Sequence, residues 1–217
     1  FSMIEMLILL YDKILKFNDK FILSKSHASF PLCILLKEKG FNPSMTTHLE
    51  LDEKNGIYCT TGSLGHGLPI ATGMAFARKK NKIKGKIYVM ISDGECQEGT
   101  TWESLLIASK HKLDNLVIIV DYNKIQALSK LSDALPLNNL KDKFKSFNCK
   151  CVNVKNGHSF DQLMRAFQTK SINKPVVIIS NTIKGKGIRQ FENDPVWHAR
   201  KLQGEEIKIG EKELDIK

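Results

Sequence analysis

Ile87-Tyr88-Val89-Met90-Ile91-Ser92-Asp93-Gly94-Glu95 and, after a polar stretch, Leu116-Val117-Ile118-Ile119-Val120-Asp121-Tyr122-Asn123 decide how this chain is read. Each is an apolar run that ends abruptly in a polar turn. Runs apolar on both faces suit parallel strands that are covered by helices on both sides. Cys149–Val154 and Val176–Ser180 have the same character. Helical stretches lie between them, at about 97–111, 140–147 and 160–169. This alternation predicts a three-layer α/β/α fold around a mostly parallel central sheet.

Upstream, Ser2 and Glu5 have capping-box spacing ahead of an amphipathic helix reaching about Lys16. Phe21-Ile22-Leu23 is a short extended stretch, and a second helix runs from Phe30 to Lys39 and stops at Gly40. Residues 42–62 lack periodicity and read as a long ordered loop, the kind that is usually functional. Gly67, Ala71 and Ala75 then share one helical face. Such a face permits close helix approach, either inside the chain or to a twin helix in a dimer. After Asn181 periodicity fades. The expected division is one domain over residues 1–202 and an extended charged tail over 203–217.

The bulk numbers exclude several classes. A chain of 217 residues can bury one good core. No apolar run reaches membrane-spanning length and no secretory signal is recognisable, so no membrane role is expected. The chain opens at Phe1 inside a predicted helix, and upstream residues are expected to have been removed. The net charge of +10 comes mostly from scattered Lys without a dense basic run. That pattern argues against a nucleic-acid partner and is compatible with anionic, phosphorylated substrates. Five cysteines without a C-x-x-C pair argue against zinc and against a disulfide framework, and suit a reducing cytoplasm.

In open α/β sheets ligands bind beyond the carboxyl ends of the strands. Asp93 and Asn123 both fall there, on consecutive strands. An acidic and an amide oxygen meeting at that edge would suit Mg²⁺ or Ca²⁺, which take oxygen ligands and complete their shell with phosphate. Gly94 lets the backbone approach a phosphate closely. Taken alone, Asp-Gly and Asn are ordinary turn signals. No G-x-G-x-x-G follows the first strand, which argues against a nicotinamide-binding domain.

Together the motifs resemble the transketolase family of thiamine diphosphate enzymes. Glu98 follows Asp93 by five residues and Asn123 follows it by thirty, which matches that family's cofactor fingerprint. Phe21-Ile22-Leu23-Ser24-Lys25-Ser26-His27, Thr47-His48-Leu49-Glu50, Thr60-Thr61-Gly62-Ser63-Leu64-Gly65-His66-Gly67, and Gly185-Lys186-Gly187 with Trp197-His198 resemble its other site loops in order. The resemblance implies that Asp93, Asn123 and the Ile125 carbonyl hold the metal. It implies that Gly94, Glu95 and Asn123 border the diphosphate, and that Gly62, Ser63 and Leu64 line the cofactor. His27 and His198 would contact cofactor and substrate, His48 would face substrate, and Glu98 would join a carboxylate network between two active sites. His158 reads as mainly structural.

There are departures. Ser92 replaces the first Gly of Gly-Asp-Gly, and either crowds the phosphate or adds a hydrogen bond to it. Ser26 replaces a Gly before His27. Thr46-Thr47 and Leu49 replace a Pro-Gly…Pro setting around His48. His66 stands where Gln is usual, and Ala199 where Gly is common. The activating Glu of this family lies in a second domain absent from the chain. The resemblance therefore implies the first subunit of a split transketolase, transferring a two-carbon ketol unit between sugar phosphates. A pyrimidine-domain partner subunit would complete it, in a heterotetramer with a core dimer of this chain. Another thiamine diphosphate enzyme, of the deoxyxylulose-phosphate-synthase kind or acting on an unusual sugar, and a non-catalytic subunit that kept the fold are the alternatives.

Overall fold

A computed structural model describes residues 1–127, 129–198 and 202–216. In chain order the elements are α1 (Ile4–Leu9), β1 (Lys20–Leu23), α2 (Ser29–Glu38), α3 (Gly67–Lys80), β2 (Ile87–Ser92), α4 (Gly99–Lys110), β3 (Leu116–Tyr122), β4 (Ile125–Gln126), β5 (Ser129–Lys130), α5 (Leu131–Ala134), α6 (Leu140–Ser146), β6 (Lys150–Val154), α7 (Phe160–Phe167), β7 (Val176–Asn181) and α8 (Glu205–Glu213). Five strands form one parallel sheet in the order β1-β2-β3-β7-β6.

The sheet splits the core in two, as the period of a strand requires. Ile87, Val89 and Ile91 of β2 point to one side with Leu116, Ile118 and Val120 of β3, where α3, α4 and α6 cover them. Tyr88 and Met90 point to the other with Val117 and Ile119, beneath α1, α2 and α7. The three-layer expectation is thereby met, and the four long strands fall where the apolar runs placed them. Phe21-Ile22-Leu23 adds the fifth as an edge strand.

Other expectations need correction. The capping box does not form: Met3 occupies the cap position without a side-chain bond. Ser2 Oγ donates instead to Asp121 at 2.7 Å, and Glu5 bonds His158. The first helix runs on as a π-helical turn through Leu10–Ile14. The hairpin β4–β5 and the short α5 left no periodic signal. Within the expected tail, Glu205–Glu213 form α8 rather than extended chain, and α8 docks on the Ile188 loop, where the Arg189 N–H donates to Glu213 at 2.6 Å. Among the described residues no helix is long and apolar enough to cross a membrane.

The small-residue face of α3 is used internally. Ala71 and Ala75 are buried in the α3–α4 side of the core. A Cβ on Gly67 would lie 2.8 Å from the Ser24 Cα. Gly67 therefore meets the residue after β1, and Ala71 and Ala75 pack inside the chain's own core, so this face is not free for a twin helix. Gly67→Ala is expected to cost about 1–3 kcal/mol through overpacking, read as a lower urea midpoint with an unchanged slope. A stability equal to wild type would show that the β1–α3 contact yields freely.

Candidate functional site

The carboxyl ends of β1, β2, β3 and β7 meet at one edge. The register sets Ser92 beside Asp121 and Asp121 beside Ser180, so the turns after these strands are neighbours. Asp93 is buried, accepting Gly94 N–H at 2.9 Å and Lys124 N–H at 2.6 Å. Asn123 is also buried, and its Oδ1 accepts Ile125 N–H at 3.1 Å. The two halves of the sequence motif thus form one site, tied through the Asp93–Lys124 bond. Ile125 enters the β4–β5 hairpin, which fixes its backbone direction.

Burial, partly offset by the Lys124 N–H and increased by the Asp121 charge, raises the Asp93 pKa to about 6. A carboxylate whose pKa is raised by desolvation is stabilised in its ionised form by a nearby cation. A divalent cation fits the donor set of one carboxylate, one amide oxygen and one carbonyl, with phosphate oxygens completing the shell. No cluster of three His, Cys, Asp or Glu suited to a metal occurs among the described residues. The candidate metal site does not depend on one.

Ser92 and Glu95 turn inward. Ser92 Oγ is 3.3 Å from Glu95 Oε2 and 3.3 Å from the Glu95 nitrogen. The other Glu95 contacts are Ser92 N–H at 2.8 Å, Gly65 N–H at 3.1 Å and the Ser24 hydroxyl. Glu95 therefore ties the β2 turn to the β1 end and the Gly65 loop, with both carboxylate oxygens occupied. The Ser92 hydroxyl is engaged in that internal network. The Gly94 N–H, expected to face the diphosphate, is here engaged by Asp93.

Beside Asn123 lies a buried ion pair that residue pattern alone did not flag. Lys25 Nζ is 2.5 Å from Asp121 Oδ2, and both side chains are almost completely buried. Asp121 also receives the Ser2 and Thr182 hydroxyls at 2.7 and 2.5 Å. Although burial opposes ionisation, the Lys25 charge and these three donors hold the Asp121 carboxyl well below the usual carboxylate range. The available clue was two charged residues at the ends of strands with no polar face, Lys25 after β1 and Asp121 in β3.

Lys25 also faces a cavity of about 560 Å³ lined by His27, Phe30, Lys184, Trp197 and His198. The His27 and His198 rings are 5.1 Å apart. Desolvation, then Lys25, His198 and Lys184, lower the His27 pKa to about 3. More than a third of the residue still meets solvent, which dilutes this shift without reversing it. Desolvation, then Lys184 and Lys25, lower His198 to about 4. Both imidazoles are neutral at physiological pH and can accept as well as donate a proton. His198 Nδ1 is buried without a hydrogen-bond partner among the described residues, which marks it as open to a bound group. Desolvation and Lys25 lower Lys184 to about 8.

The remaining residues are spread around this centre. His48 is exposed, with its ring against Gly62, where an added Cβ would come within 2.5 Å of His48 Cδ2. Ser63 and Leu64 are exposed, and the His66 ring bonds the Leu64 carbonyl at 3.0 Å. Glu98 is exposed at the start of α4, with Gly65 packed on its stem. Ala199 lies outside the described residues. His158 joins Glu5 at 3.0 Å and accepts Ile183 N–H at 2.9 Å, so it braces the loop that carries Lys184.

Residues 6–217 match the family described as transketolase, thiamine diphosphate binding domain. A subunit of the apulose-4-phosphate transketolase of Actinobacillus succinogenes is 36% identical over 235 aligned residues, covering 98% of this chain and 85% of that protein. The 6-deoxy-6-sulfo-D-fructose transketolase subunit of a Clostridium species is 33% identical, covering 99% and 86%. The transketolase of Campylobacter jejuni superposes with a TM-score of 0.84 at 29% identity, covering 98% of this chain but 37% of that one. The chain thus spans about a third of a long-chain transketolase and most of the length of either separate subunit. It belongs to the transketolase family of transferases, over that family's thiamine diphosphate binding domain.

Proposed function

We propose that this chain is the diphosphate- and metal-binding subunit of a split transketolase. The observation that carries this reading is the site formed by Asp93, Asn123 and Ile125, joined through the Asp121–Lys25 pair to a cavity lined by His27 and His198. In this reading Asp93, Asn123 and the Ile125 carbonyl would hold Mg²⁺ (or Ca²⁺), which would supply positive charge to offset a diphosphate. Thiamine diphosphate, when bound, supplies the carbanion equivalent and electron sink for breaking a bond next to a carbonyl. His27, His48 and His198 orient the sugar hydroxyls and move their protons during transfer of a two-carbon ketol unit from a ketose to an aldose. Gly62, Ser63 and Leu64 border the cofactor. Glu95 acts by fixing the turn that bears Asp93.

Anionic sugars are the favoured substrates. One relative's name carries a phosphate sugar and another's a sulfo sugar, and the net charge of +10 would favour either. A partner subunit with the pyrimidine-binding domain completes the site, in a cytoplasmic heterotetramer built on a core dimer of this chain. Exposed Ile70 on α3 and Leu106 and Ile107 on α4, two helices that pack together, support an assembly surface on that side.

Calorimetry with thiamine diphosphate and Mg²⁺, with and without the partner, tests the reading. Metal-dependent binding is expected, with turnover of a ketose donor and aldose acceptor only when both subunits are present. Absence of binding in both conditions would overturn it in favour of a non-catalytic subunit. Full turnover by this chain alone would remove the split-enzyme claim.

A further inference from the structure

The segment 44–51 carries His48 but contains no helix or strand of its own. Its fastening comes from hydroxyls on the turn that opens α2. Ser26 Oγ lies 3.0 Å from both the Thr47 and Thr61 carbonyls and accepts Leu49 N–H at 3.4 Å. One hydroxyl has one proton, so it shares or alternates between the two carbonyls while its lone pairs receive the amide. Three residues on, on the same face of the turn, Ser29 donates to the Thr46 carbonyl, and the Thr46 hydroxyl donates to the His48 carbonyl at 2.6 Å. Across the loop, Thr61 N–H donates to the Leu49 carbonyl at 2.9 Å and Leu51 N–H to the Thr60 hydroxyl at 3.0 Å. Ser26 and Ser29 are buried, and the Leu49 side chain is sunk in the α1–α2 side of the core.

Two departures noted in the sequence meet in one of these bonds. A Gly at 26 would have no hydroxyl, and a Pro at 49 would have no N–H. Ser26 and Leu49 are therefore the two halves of a contact that the Gly and Pro pattern cannot make. We propose that Ser26 is a positioning residue, whose hydroxyl holds the His48 loop against Thr60–Gly62. Hydrogen bonds from the α2 turn thereby replace the stiffness a proline would give the loop. The Gly62 gap then receives the His48 ring in one place. This attachment stands on the geometry alone. Its consequence for substrate binding rests on the function proposed above.

The full chain carrying Ser26→Ala, which removes the hydroxyl with the least change of volume, tests the proposal. Site-resolved amide exchange is expected to accelerate at least tenfold at Leu49 and Thr61, with Ile118 and Ile119 in β3 unchanged. The His48 ring resonances should move toward those of free histidine, while those of His111 stay. A role in general stability would instead speed β3 and the loop together and leave the His48 ring signal in place. That result, or unchanged exchange at Leu49, overturns the proposal. If the alanine variant does not fold, Ser26→Cys keeps the size with a weaker donor. The same two readouts then decide, with a severalfold acceleration expected. Neither readout requires cofactor, substrate or partner, so a failure here is distinct from a failure of the functional reading.

Discussion

Asp93→Ala is expected to abolish metal-dependent binding of thiamine diphosphate while leaving the chain folded. Loss of a residue that merely orients a metal ligand typically costs 10–100-fold in affinity, so loss of a ligand should cost at least about 100-fold. The fold survives because two effects oppose each other. The substitution leaves the Gly94 and Lys124 N–H groups without their acceptor, at about 1–3 kcal/mol each where buried. It also removes a buried carboxylate whose pKa stands at about 6 rather than 3.8, a cost of about 3 kcal/mol when ionised. Calorimetry with Mg²⁺ and a urea titration measure the two quantities. Wild-type affinity in the variant would refute the metal assignment.

The same carboxyl predicts a pH dependence. Its folded pKa is raised, so its favourable contribution in the metal-free chain is complete below about pH 4 and is lost as pH rises through about 6. Metal binding runs the other way, because the cation must displace that proton. Affinity for Mg²⁺ and thiamine diphosphate together is expected to weaken about tenfold for each pH unit below 6. A flat profile between pH 5 and 7 would mean that Asp93 does not meet the metal.

Lys25→Met is the second large effect. It leaves Asp121 buried without a cation, and breaking a buried pair from one side costs about 3–5 kcal/mol. That is a large share of the about 5–15 kcal/mol that holds a typical domain together. Lys25→Met with Asp121→Asn should regain most of the loss, since the charge leaves with its partner. The Asp121 pKa is depressed, so the pair's contribution is present above the ordinary carboxylate range and is lost only in strong acid. Removing the Lys25 charge should also raise the pKa values of His27, His198 and Lys184, because Lys25 lowers all three. Urea titration and histidine NMR titration measure these outcomes. A single variant within about 1 kcal/mol of wild type and unmoved histidines would sink the account.

Much of the fold was legible from residue pattern. Strands apolar on both faces can be covered only from both sides, so Ile87–Ile91 and Leu116–Val120 announced the layered sheet. The site was legible where neighbouring residues carried it: Asp93 and Asn123 sit at strand ends because apolar runs stop there. The capping box failed for a nonlocal reason. Ser2 has the right spacing to Glu5, but Asp121, 119 residues away, takes its hydroxyl. Position 92 stood out only as a departure beside Asp93, and its hydroxyl contact with Glu95, three residues on, came from the coordinates. Gly67, Ala71 and Ala75 pointed to close packing, but only coordinates name the Ser24 backbone as what Gly67 meets.

The sequence by itself determined the layered α/β architecture, the positions of the strand-end turns and the family to which the chain belongs. Periodicity and turn chemistry are local properties, written in adjacent residues. Tertiary structure alone decided which polar groups are spent inside the protein and which border the candidate site. Ser92 and Glu95 lock the turn, Lys25 neutralises Asp121, and Ser26 fastens the His48 loop, while Asp93 and the His27–His198 pair border the candidate cofactor site. Lys25 and Asp121 are 96 residues apart along the chain, and His27 and His198 lie further apart still. A hydrogen bond or a desolvated charge depends on distance in space, which the order of residues does not state.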